Sequence, residues 1–123
     1  MSKKTIVVAE DDKFIAHAYK NGLAEEGFDV HLAGDGQQAL KLVKKYQPQL
    51  ILLDLVMPVM NGFDALKALK EDKQTKAIPV IILSNLGQES DIETCRQLGI
   101  VDYLVKSNIS MKEVIKRIKK HLK

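Results

Sequence analysis

Four short apolar runs in this 123-residue sequence each lead into side chains able to do chemistry. Ile6-Val7-Val8-Ala9 runs into Glu10-Asp11-Asp12, Leu50-Ile51-Leu52-Leu53 into Asp54, Val80-Ile81-Ile82-Leu83 into Ser84, and Val101 to Val105 into Lys106. Carboxylates, a hydroxyl and an ammonium are the parts of a phosphoryl-transfer site. Acidic oxygens suit a hard divalent cation such as Mg²⁺, which keeps several waters and recruits phosphate, and a lysine adds a second, permanent positive charge. An aspartate among them can act as the nucleophile and become an aspartyl phosphate. Taken singly the residues are ordinary: Asp54 reads as a turn former, Asp12 as a helix cap, Lys106 as a surface lysine. Their force comes from convergence, because carboxylates gathered at one place repel each other unless a positive charge sits among them.

The elements that must bring them together are legible as alternation. The four runs are rich in β-branched residues and too short for helices, so they predict buried strands. Phe28-Asp29-Val30-His31-Leu32 alternates apolar and polar residues and predicts a strand with one wet side, at a sheet edge. Helical periods fill the gaps. The first helix runs from about Asp12 to Glu26 and stops at Gly27. The second follows Asp35, with Ala39, Val43 and Tyr46 on one face. The third follows Asn61-Gly62 and carries Ala65, Leu66 and Leu69. Gly99 stops the fourth after Leu98. In the last, Met111, Val114, Ile115, Ile118 and Leu122 form a stripe behind a Ser110/Glu113 capping box.

Five strands alternating with five helices predict an α/β fold, an open, doubly wound parallel sheet with right-handed crossovers. Ligands of such sheets bind beyond the C-terminal ends of the strands, where Glu10, Asp11, Asp54, Ser84 and Lys106 would lie. The length corresponds to one domain, 1–123, and the final helix reaches the last residue, so no output domain is expected. A hydrophobic share of 46% with 28% charged residues excludes disorder and low complexity. The formal charge of +3 is too small to argue for nucleic acid. It is unevenly spread, since Lys112, Lys116, Arg117, Lys119, Lys120 and Lys123 face only Glu113 at the C-terminus. That pattern reads as a solvated helix face with its cations at the favourable end. Cys95 is the sole cysteine, which rules out an internal disulfide and a cysteine zinc cluster. The N-terminal apolar stretch is too short for a signal peptide or a membrane span, so a cytoplasmic location is expected.

Val8-Ala9-Glu10-Asp11-Asp12, Asp54-Leu55-Val56-Met57-Pro58-Val59-Met60-Asn61-Gly62, Ser84 and Tyr103-Leu104-Val105-Lys106 together resemble the response-regulator receiver domain of two-component signalling. The likeness covers the whole chain, and the Asp-x-x-Met-Pro-x-Met-x-Gly run is its most specific part. It implies a flavodoxin-like (βα)5 fold with strand order 2-1-3-4-5. It also implies that Asp54 is the phosphoacceptor, that Asp11 and Asp54 bind Mg²⁺ directly with the Val56 carbonyl, and that Glu10 acts through water. Lys106 would contact the phosphoryl group, the Ser84 hydroxyl would swing to it, and Tyr103 would rotate with Ser84 as the aromatic switch. The implied donor is a histidine kinase or histidine phosphotransfer protein. The implied output is a downstream protein docking on the face of helix four, strand five and helix five, with the chain a monomer or a phosphorylation-dependent dimer and neither bound to nucleic acid nor inserted in a membrane.

The likeness breaks at Ser107, where the family places proline after the lysine, typically in a cis bond. A cis bond before a non-proline residue costs about 3–4 kcal/mol, so a different connection and a less well held Lys106 are expected. Two other function classes fare worse. Phosphatases that pass through an aspartyl phosphate need a second aspartate two positions after the nucleophile, where this chain has Val56. A flavodoxin-type flavin site needs a hydroxyl-rich phosphate loop, and Glu10-Asp11-Asp12 would repel the phosphate.

Overall fold

Residues 3–122 are described by the computed structural model; Met1, Ser2 and Lys123, the last of these counted in the basic tail, lie outside the described residues. Every apolar run is a strand and every periodic segment a helix. In order come β1 (Thr5–Ala9), α1 (Lys13–Glu25), β2 (Asp29–Ala33), α2 (Gly36–Tyr46), β3 (Leu50–Leu53), α3 (Gly62–Glu71), β4 (Val80–Ser84), α4 (Glu89–Leu98), β5 (Asp102–Val105), a 3₁₀ turn (Lys106–Asn108) and α5 (Met111–His121). The strands are parallel in the order β2-β1-β3-β4-β5, as expected, with β2 at one edge.

Period-two alternation divides the core between the two faces of the sheet. Ile6, Val8, Leu50, Leu52, Ile81 and Leu83 point toward Tyr19 and Leu23 of α1 and Val114 and Ile118 of α5. Val7, Ala9, Ile51, Leu53, Val80 and Ile82 point the other way, toward Ala39, Val43, Leu66, Leu69 and Cys95 of α2, α3 and α4. Each of the large aliphatic side chains buried here contributes about 1.5–3 kcal/mol. Register then sets the site. Ala9 is level with Leu53, and the Asp54 N–H donates to the Ala9 carbonyl at 3.0 Å, so β1 and β3 end side by side.

Side-chain caps fix four helix starts, from Asp12, Asp35, Asn61 and Ser110. Helix α4 has no side-chain cap and buries only Cys95. Three details depart from the sequence reading. Tyr46, at the end of α2, leaves the stripe of Ala39 and Val43 and stacks on His31 of β2 with ring centroids 3.8 Å apart. Val101 is exposed and β5 begins at Asp102. The capping box is half formed: Ser110 Oγ accepts the Glu113 N–H, while the Glu113 carboxylate accepts from Arg117. No helix among the described residues is long and apolar enough to cross a membrane.

Candidate functional site

The level ends of β1 and β3 put Glu10 and Asp54 next to each other, each only 5% exposed. Asp11, exposed at the start of the following loop, completes a cluster in which one oxygen from each carboxylate lies within 4.8 Å of the others. Asp12 is outside the cluster: its carboxylate caps α1, accepting the N–H groups of Phe14 and Ile15 at 2.9 and 3.2 Å. The positive charge that this crowding requires comes from Lys106. Its ammonium donates to Asp54 Oδ2 at 2.8 Å and to Glu10 Oε1. Burial pushes the Glu10 carboxyl above its usual range, against the downward pull of the Lys106 ammonium and the Asp12 N–H. Burial acts downward on the Lys106 ammonium, but its bonds to Asp54 and Glu10 prevail and hold its pKa above the ordinary lysine value. The Lys106–Ser107 peptide is trans, like every peptide among the described residues, and a 3₁₀ turn carries the chain onward. Replacing proline by serine thus leaves Lys106 on Asp54.

An all-oxygen donor set of carboxylates beside a carbonyl-bearing loop fits a hard divalent cation such as Mg²⁺. That loop, between β3 and α3, is fastened by backbone. The Val56 N–H turns back to Asp54 Oδ1 at 3.3 Å, leaving the Val56 side chain 58% exposed. A γ-turn follows, with the Met60 N–H donating to the Pro58 carbonyl at 2.7 Å around Val59, whose φ of +65° is left-handed. Beyond it, Gly36 of α2 donates to the Met60 carbonyl and Gly62 to the Leu55 carbonyl, both at 2.9 Å. At both glycines a Cβ would overlap backbone: 2.2 Å from the Met60 oxygen at Gly36, 2.1 Å from the Asp54 oxygen at Gly62.

Ser84 is fully buried at the end of β4, and its Oγ accepts the Leu86 N–H at 3.3 Å. The Tyr103 hydroxyl, half-buried on β5, donates to the Leu86 carbonyl. Burial first, then Cys95 once its thiol has ionised and the carboxylates of Asp91 and Asp54, push the Tyr103 phenol up to about 12, so it is a donor at neutral pH. One residue, Leu86, thus joins both expected switch residues, through its N–H to Ser84 and its carbonyl to Tyr103. Sequence reasoning passes over this role of Leu86, because a backbone contact has no residue signature. It also passes over the Gly36 clamp, for which a glycine directly after the cap Asp35 is the only sequence trace.

Residues 6–119 match the family model described as the response regulator receiver domain. Over 114 residues the chain is 41% identical to the transcriptional regulatory protein CpxR of Escherichia coli, covering 93% of this chain and 47% of CpxR. The chemotaxis protein CheY4 of Vibrio cholerae superposes with a TM-score of 0.91 at 26% identity, covering 98% of this chain and all of that one. A CheX–CheY–BeF3–Mg complex from Borrelia burgdorferi gives a TM-score of 0.87 at 26% identity, over 95% of this chain and 87% of that one. The chain spans about half the length of the curated relatives it matches.

Proposed function

The chain belongs to the response regulator receiver family, and from that premise we propose that it takes a phosphoryl group onto Asp54 from the phosphohistidine of a kinase or phosphotransfer protein. The observation that carries the reading is the Lys106 ammonium on Asp54 Oδ2 at 2.8 Å, within an otherwise acidic pocket. A carboxylate oxygen of Asp54 attacks phosphorus. The new P–O bond forms as the P–N bond breaks, and the imidazole nitrogen keeps the electron pair and takes a proton from solvent. Lys106, already charged and already at Asp54, transfers its hydrogen bonds from carboxylate to phosphoryl oxygens. Asp11, Asp54 and the Val56 carbonyl, with Glu10 through water, would hold Mg²⁺, which neutralises charge on the transferring group.

The Ser84 hydroxyl donates a hydrogen bond to the phosphoryl group by turning away from the Leu86 N–H. The Leu86 peptide then shifts, and Tyr103 shifts with it. This converts chemistry at Asp54 into a change of surface on α4, β5 and α5; between α4 and β5, Ile92, Arg96, Ile100, Val101, Asp102 and Tyr103 line a hollow of about 200 Å³. The output of the switch is a protein surface docking there. The domain acts on its own side chain and is no classical enzyme. Intact mass after exposure to a small phosphodonor and Mg²⁺ tests the reading. The wild type should gain one phosphoryl group and Asp54→Asn none; a wild type that gains nothing sinks it.

A further inference from the structure

On the face of the molecule built by α1 and α5, away from the acidic cluster, lies an open groove of about 600 Å³. Its floor is apolar, made by Gly22 of α1 and by Met111 and Ile115 of α5. A Cβ at Gly22 would come within 3.3 Å of Met111 Sδ, so the missing side chain is what lets these groups line the floor. Its banks carry opposite charge. Exposed Glu25 and Glu26 form the α1 bank, and exposed Lys112, Lys116 and Lys119, three to four residues apart, form the α5 bank. One pair, Lys119 with Glu26, closes across the groove within the molecule. Glu25, Lys112 and Lys116 have no ion-pair partner among the described residues.

We propose that this groove is a self-association surface and that its occupant is the same groove of a second copy of this chain. A two-fold axis running along the groove exchanges left and right banks, so it sets the acidic bank of each copy over the basic bank of the other. Glu25 of each chain then meets Lys112 and Lys116 of its mate, and the two apolar floors close on each other. The surface is therefore self-complementary in charge and in hydrophobicity, as a two-fold contact must be. The groove uses the C-terminal end of α1 and leaves Asp11, the cap Asp12 and Phe14 of the first turn uncovered, so the dimer forms whether or not Asp54 is modified.

Sedimentation of the whole chain across a concentration series, at low and high salt, reads this directly. The wild type should dimerise reversibly and more weakly at high salt. Glu25→Lys and Lys112→Glu, both on exposed side chains, should each weaken dimerisation about tenfold with thermal melting unchanged. The double variant should bind more tightly than either single, because the pair between positions 25 and 112 re-forms with its charges exchanged. A monomer at every concentration would mean that the groove serves a different protein and overturns the proposal. A dimer indifferent to Glu25→Lys, a dimer formed only after phosphorylation, or a double variant no better than the singles overturns it as well.

Discussion

The loop after β3 and the loop after β4 flank the same pocket and are held by different means. From Leu55 to Asn61 the chain is tied through main-chain groups: Gly62 to Leu55, Gly36 to Met60, Met60 to Pro58. It leads into α3, which is capped by Asn61 and buries Ala65, Leu66 and Leu69. After β4, Leu86 is fastened by two side-chain hydroxyls, those of Ser84 and Tyr103, and the chain leads into the uncapped α4. Backbone clamps against glycine have no alternative arrangement nearby, since any shift meets backbone. A hydroxyl held by one hydrogen bond of about 1 kcal/mol can be traded for a better acceptor. The fold therefore holds the loop after β3 still and leaves the loop after β4 free to change partners.

The largest effect should come from testing the clamps themselves. Gly62→Ala places a Cβ 2.1 Å from the Asp54 carbonyl oxygen and 2.6 Å from Leu55 Cα, and should lose about 3 kcal/mol or more in chemical denaturation. Gly87→Ala, in the other loop, meets only the Val105 side chain, Cγ2 at 3.4 Å and Cγ1 at 3.8 Å, and should stay within about 0.5 kcal/mol. Equal losses would erase the contrast. The next effect joins one residue from each loop. Exposed Val56 and half-buried Leu86 offer no side-chain hydrogen bond to orient a hydrolytic water, so the phosphorylated state should be long-lived. Val56→Asn with Leu86→Glu should speed its loss by about ten- to a hundredfold. A double variant that decays at the wild-type rate would point instead to exposed Asn85 as the group that holds the water.

Tyr103→Phe cuts one of the two fastenings of Leu86. Hydrogen exchange should quicken for residues 85–88 and stay unchanged for 55–61, with global stability down by about 1 kcal/mol. The smallest effect is acid-limited. Burial pushes the Asp102 carboxyl upward, but Arg117 and His121, which donate to it at 2.8 and 3.1 Å, pull harder and hold it below the usual carboxylate range. Its contribution to stability is fully present above the ordinary value near 3.9 and disappears as pH falls through the lowered one. Asp102→Asn should therefore flatten the pH dependence of unfolding below about pH 4 and lower stability above it.

Much of this architecture is written in periodicity. Strand runs, their polar endings, the caps at Asp12, Asp35, Asn61 and Ser110, and the stops at Gly27 and Gly99 are local features, and each is legible locally. Tyr46 escapes its stripe because a residue in the last turn of a helix has a neighbouring strand within reach, and His31 offers a flat partner. The pairing of Lys106 with both Glu10 and Asp54 is half legible: crowded carboxylates demand a cation, but which oxygens it takes depends on strand register. The left-handed Val59 is invisible in sequence, since a β-branched residue there runs against its own preference and is held by Gly36 and Gly62 on either side.

The bond from Tyr103 to Leu86 also gives the molecule an optical property. The chain has no tryptophan, three tyrosines and three phenylalanines, so its near-ultraviolet absorbance beyond the weak phenylalanine bands belongs to the three phenols. Tyr46 is stacked on His31 at the far edge, and Tyr19, packed in the core between α1 and the sheet, feels the charges of Lys106 and Glu10 without a hydrogen bond to either. Among the described residues Tyr103 is the tyrosine whose hydroxyl is bonded to the loop after β4. If Asp54 takes the phosphoryl group as proposed, an absorbance difference on adding phosphodonor that vanishes in Tyr103→Phe would be the signal of that side chain leaving its carbonyl, and the unlabelled protein would be its own optical gauge of the proposed switch.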